Sequence, residues 1–108
     1  MSVKRIWHGY TTPGNADKYQ ELLHREIFPG IEAKEMPGYH CVELLRRDLE
    51  DEVEFVTIMT FDSLDDVKEL QGKDYEKCYV PDVAKKVLKR YDKLAAHYEF
   101  IEKRAQRI

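Results

Sequence analysis

The chain has 108 residues, of which 18 are basic and 21 acidic, for a formal net charge of −3. That length supports one domain with one core. The interspersed charges argue against a dedicated nucleic-acid or anionic-membrane surface, which needs a clustered basic face, and no apolar run approaches the length that spans a bilayer.

Met1-Ser2-Val3-Lys4-Arg5 leads straight into a strand and does not resemble a signal peptide, so a cytosolic soluble domain is expected. In that setting Cys41 and Cys78, far apart in the chain, read as buried free thiols and not as a disulfide. Val3 to Thr11 alternates as a first strand, with Arg5 and Trp7 on one face and Ile6, His8 and Tyr10 on the other. Thr12-Pro13-Gly14-Asn15 is turn chemistry, and Asn15 is a candidate helix cap. From Ala16 the period changes, and Tyr19, Leu22, Leu23, Ile27 and Ile31 share a helical stripe. Pro29-Gly30 predicts a kink or two helical pieces ending near Glu35.

Met36-Pro37-Gly38 stops that helix, and Tyr39 to Arg47 reads as a second strand with a charged hairpin tip over residues 48–52. Glu54 to Phe61 is the most β-prone run of the chain, with Phe55, Thr57, Met59 and Phe61 on one face and Val56, Ile58 and Thr60 on the other. Ser63 with Asp66 reads as an aspartate version of the capping box, opening a helix from Leu64 to about Gln71 that Gly72 ends. Lys73 to Tyr79 is a candidate short helical turn. Pro81 suits the first turn of a third helix carrying Val83, Ala84, Val87 and Leu88. Leu94 to Ile101 is the expected last strand. Residues 1–102 then form one domain and 103–108 a charged tail.

The order β-α-β-β-α-(α)-β is the ferredoxin-like split βαβ arrangement of the α+β class: a four-stranded antiparallel sheet with helices on one face. Its other face carries Val56 and Ile58, too apolar to leave in water. A second copy of the chain, packed sheet against sheet, would cover it, so a homodimer is expected.

The order of elements resembles the antibiotic biosynthesis monooxygenase (ABM) family, of the dimeric α+β barrel type. So do Pro37-Gly38-Tyr39 opening the second strand and Phe61-Asp62-Ser63-Leu64 after the third. The segment Gly72-Lys73-Asp74-Tyr75-Glu76-Lys77-Cys78 with Pro81 beyond it, and His97-Tyr98-Glu99 in the last strand, are also similar to members of that family. The resemblance spans nearly the whole chain and rests on the order and spacing of short motifs. It implies a homodimer with a pocket between sheet and helices in each subunit. Some members oxidise phenolic or quinol-like molecules with molecular oxygen and no metal or flavin. The haem-degrading branch uses an asparagine, a tryptophan and a histidine on successive elements. Here Trp7 stands near the first place, Leu70 at the second and Val80 or a neighbour at the third, and no histidine lies between His40 and His97.

Cofactor-free oxygenation needs a dry cavity that takes a proton from a phenol or anthrone and stabilises the resulting anion. His97, in a mostly apolar strand, is the candidate base or orienting group, against the alternative of a histidine satisfying a partner at the subunit interface. Trp7 is the second catalytic candidate, as indole donor or pocket wall, against plain core packing. Tyr75 and Tyr79, four apart, are candidates to lid the pocket, and Arg5, Met59 and Phe61 to line it. His8 points away from Trp7, towards the expected dimer interface. Metal binding has little support, since Glu21 and His24 form only a single helical pair. The expectation is therefore an oxygenase of small aromatic molecules needing no cofactor beyond oxygen itself. The alternative is a non-catalytic ligand-binding or stress-related dimer, with haem degradation third.

Overall fold

The computed structural model describes residues 2–107. Met1, and Ile108 at the end of the expected tail, lie outside the described residues. One antiparallel sheet contains β1 (Val3–Thr11), β2 (Tyr39–Asp48), β3 (Val53–Phe61), β4 (Arg90–Tyr91) and β5 (Ala96–Glu99). The helices are α1 (Ala16–Leu22), α2 (Phe28–Glu32), α3 (Leu64–Gln71) and α4 (Asp82–Lys85). The order across the sheet is β2-β3-β1-β4, with β5 also paired to β1. This is the expected ferredoxin-like α+β fold, with the two most apolar strands in the middle.

The last strand departs from expectation. Residues 94–101 do not run continuously along β1. Instead β4 takes Gly9 and Tyr10, and β5 takes Val3 to Ile6, so two short strands share one edge of β1. Between them the chain leaves β1 to bond the segment after α3: Cys78 N–H donates to the Lys93 carbonyl at 3.2 Å, and Ala95 N–H to the Glu76 carbonyl at 2.7 Å. The expected helical turn over residues 73–79 is accordingly a turn followed by an isolated bridge between Lys77 and Leu94. These detached bonds satisfy backbone groups that a straight strand would have given to β1.

The alternation holds in register. Arg5 faces Met59, Trp7 faces Thr57 and Gly9 faces Phe55, all on the side that the helices cover. Tyr19 of α1 meets Phe55 edge-on at 5.0 Å between ring centres, and both are buried with Ala16, Leu23 and Ala84. Each large apolar side chain buried this way contributes about 1.5–3 kcal/mol. The kink expected at Pro29-Gly30 falls one turn earlier. Residues Leu23–Ile27 form a π-helical turn in which Phe28 N–H reaches back to the Leu23 carbonyl, and Pro29 sits in the first turn of α2, where its missing N–H costs nothing.

Ser63 caps α3 as expected, its Oγ accepting from Asp66 N–H at 3.2 Å. Asn15 does not cap α1, because residues 13–15 already turn as a 3₁₀ segment; its side chain reaches the Val87 carbonyl instead. α4 is a single turn, with Ala84 buried and Val83 exposed. Cys41 is exposed, contrary to expectation, because a bulge between Tyr39 and Cys41 shifts the strand register there; Cys78 is half-buried.

On the opposite face Ile6 pairs with Ile58, His8 with Val56, and Leu45 with Val56, and Leu45 is largely exposed in the single chain. Glu54 is buried at the end of this face, although the strand around it is apolar. It accepts from His8 Nδ1 at 2.9 Å, Tyr10 Oη at 3.2 Å and Arg47 at 2.7 Å. Those bonds, with His8 first, hold its carboxyl below the usual range.

Candidate functional site

Between the covered face of the sheet and the helices lies a cavity of about 580 Å³, within the usual span of small-molecule sites. β1 contributes Arg5 and Trp7, and β3 contributes Thr57 and Met59. The kinked first helix contributes Leu23, Ile27, Phe28 and Ile31, the stripe already visible as a helical period. Leu70 at the end of α3 and Tyr79 and Val83 near α4 stand at its exposed rim.

The candidates from the sequence divide. Arg5, Trp7, Met59 and Tyr79 line the cavity; His97, Tyr75 and Phe61 do not. Phe61 is fully buried against Tyr39, at 5.5 Å between rings. Tyr75 lays its ring edge-on to His97 at 5.3 Å and carries the Lys68 ammonium over its face at 5.4 Å. It meets the site only through its main-chain carbonyl, which takes a hydrogen bond from Arg5. Tyr79 is almost wholly exposed, at 84 %, so it stands open at the mouth.

His97 pairs with Arg5 in the β1–β5 register and lies on the same side of the sheet. Its Nε2 is 2.8 Å from Arg5 Nη1. A guanidinium only donates, so Nε2 is the acceptor and the imidazole is neutral in this arrangement. Burial, and secondarily the Arg5 charge, push its pKa below the ordinary value. His97 therefore acts on the cavity through Arg5. It also borders a shallow depression with Ser2, Val3 and Asp62.

Trp7 presents its ring to the cavity, but its Nε1–H is already given to the Asp92 carbonyl at 2.7 Å, where the chain leaves β1. Gly9 makes room for that indole: a Cβ there would stand 2.7 Å from Trp7 Cη2. Trp7 is thus a rigid wall and not a free donor. Sequence reasoning missed Cys78 and the Glu26 and Lys34 side chains as wall residues. Helical spacing places Glu26 and Lys34 near the apolar stripe; Cys78 follows from no periodicity, because its segment is irregular. Among the described residues no three His, Cys, Asp or Glu side chains gather in a metal-binding group, and no helix is long and apolar enough to cross a membrane.

No protein-family model and no curated protein matches the sequence. The architecture itself is that of the ABM-like ferredoxin fold. The chain is similar to the crystal structure of a candidate antibiotic biosynthesis monooxygenase from Bacillus cereus, with a TM-score of 0.68 at 15% identity, covering 100% of this chain and 99% of that one. At that identity the likeness is one of fold.

Proposed function

We propose that this protein is an oxygenase of the ABM type that takes a small aromatic, phenolic or quinol-like molecule into the cavity and oxidises it with molecular oxygen, without metal or flavin. The observation that carries this reading is a ring-sized, largely apolar cavity with a buried cation on its floor, in a fold shared with a candidate monooxygenase. The burial of Arg5 beside a largely apolar lining strengthens its field on a substrate oxygen that loses its proton. The substrate anion then passes an electron to oxygen, so the protein supplies a proton acceptor, orientation and charge stabilisation. Trp7 orients the ring, His97 positions Arg5, and Glu26, exposed at the edge of the cavity, is the carboxylate that receives the proton. A homodimer closes the open face of the sheet around Ile6, Val56 and Ile58.

A non-catalytic ligand-binding dimer is the second reading. It is favoured by one observation: Trp7 Nε1 and His97 Nε2 are both already engaged. Oxygen uptake by the metal-free protein across a panel of quinols and anthrones separates the two. The oxygenase reading expects uptake that survives chelator and falls at least about tenfold in Met59→Trp, which fills the floor of the cavity. Binding of the same compounds without uptake would move the assignment to the second reading.

A further inference from the structure

Arg5 is 6 % exposed, and its hydrogen bonds run to neutral acceptors: the Tyr75 carbonyl at 2.6 Å, the Lys77 carbonyl at 3.1 Å, His97 Nε2 at 2.8 Å and, weakly, Cys78 Sγ at 3.8 Å. Among the described residues no carboxylate pairs with it, and its Nε–H has no acceptor. Other arginines in the chain behave differently: Arg46 holds Asp17 and Asp48, Arg47 holds Glu54, and Arg90 holds Glu52. A buried charge is ordinarily paired, because an isolated charge loses its hydration on burial with nothing to replace it. Cys78 does not fill the role, since burial pushes its thiol up and leaves it protonated at neutral pH. The cavity wall has a second cation, Lys34, against one carboxylate, Glu26.

We propose that the ligand of this cavity is an anion, an aromatic body carrying a carboxylate, sulfonate or ionised phenol, whose negative group supplies the counter-charge that Arg5 lacks. This deepens the cavity reading above and rests on it. Two carbonyls and the imidazole hold the guanidinium in place before the ligand arrives, so little ordering remains for binding to cost. The Nε–H stays available, and the thiol contact is weak enough for an oxyanion to displace it.

The test compares two fluorescent probes with one ring system: 8-anilinonaphthalene-1-sulfonate, an anion, and N-phenyl-1-naphthylamine, which is neutral. Excitation through Trp7, the only tryptophan, reports binding at the wall. The sulfonate is expected to bind the native protein at least about tenfold more tightly. Arg5→Met should bring the two affinities together, and Lys34→Met should leave the preference in place. Should Arg5→Met fail to fold by circular dichroism, the ¹⁵N spectrum of the native protein decides. The Arg5 Nε–H resonance should move with the sulfonate and stay still with the amine. Equal or tighter binding of the neutral probe, a preference that survives Arg5→Met, or one that vanishes with Lys34→Met would overturn the proposal. Oxygen is not consumed in this experiment, so a failed oxygenase assay leaves its result standing. If neither probe binds, the ligand cavity itself is rejected.

Discussion

His97 and Arg5 illustrate how one contact redirects a residue's role. As a free histidine beside an apolar pocket, His97 would be a general base; with Nε2 accepting from a guanidinium, it is a neutral prop. The consequence for stability has a definite sign. Because its folded pKa lies below the ordinary 6.5, the unfolded chain binds the proton more readily. Stability is therefore retained above that value and declines as pH falls through it towards the folded pKa. His97→Gln keeps an acceptor for Arg5 but cannot titrate. Between about pH 7.5 and about pH 5.5, urea midpoints should fall further for the native protein than for His97→Gln. Parallel profiles would mean that His97 is not held neutral. The sides on which Arg5, Trp7 and Met59 lie were legible, because strand alternation fixes them. That Trp7 has no donor to spare, and that His97 reaches the cavity only through Arg5, were not. Both depend on a long-range contact with a chain segment whose path follows no period.

Elements whose residues carry their own start and stop signals match the sequence reading closely. β1 and α3 have the expected bounds, and α3 is bounded by Ser63 at one end and Gly72, at a φ of 82°, at the other. Ser63→Ala removes the acceptor for Asp66 N–H and should cost about 0.5–2 kcal/mol in denaturant unfolding. An unchanged midpoint would show that Asp66 N–H finds another partner. The stretch from Gly72 to Ala95 departs further from the sequence pattern, for an identifiable reason. Its polar backbone groups are satisfied by tertiary bonds such as Cys78 to Lys93 and Ala95 to Glu76, which leave no local periodicity. The cavity inherits that difficulty, since one side of it is built from this stretch.

At the scale of the molecule, the sheet has one face under helices and one without. Ile6, Val56 and Ile58 lie at the middle of the uncovered face, with the Glu54, His8, Tyr10 and Arg47 cluster at its end. If a second copy covers this face, Ile58→Lys should give a monomer by sedimentation at micromolar concentration while the native protein sediments as a dimer. A native monomer would remove the proposed dimer. The apolar pattern of β3 showed that its second face needs cover, but an alternating strand does not record the identity of what covers it.

The cation at the floor of the cavity is held by residues 70, 72 and 92 positions further along the chain. Arg5 therefore sits in the first strand yet waits for the last one. During synthesis the lining of the cavity is complete as far as Ala84, but Arg5 lacks its imidazole prop until the strand bearing His97 has emerged and closed against β1, a late, high-separation contact. A nick that frees the final strand would therefore take the imidazole from Arg5 while leaving the β2–β3 hairpin paired.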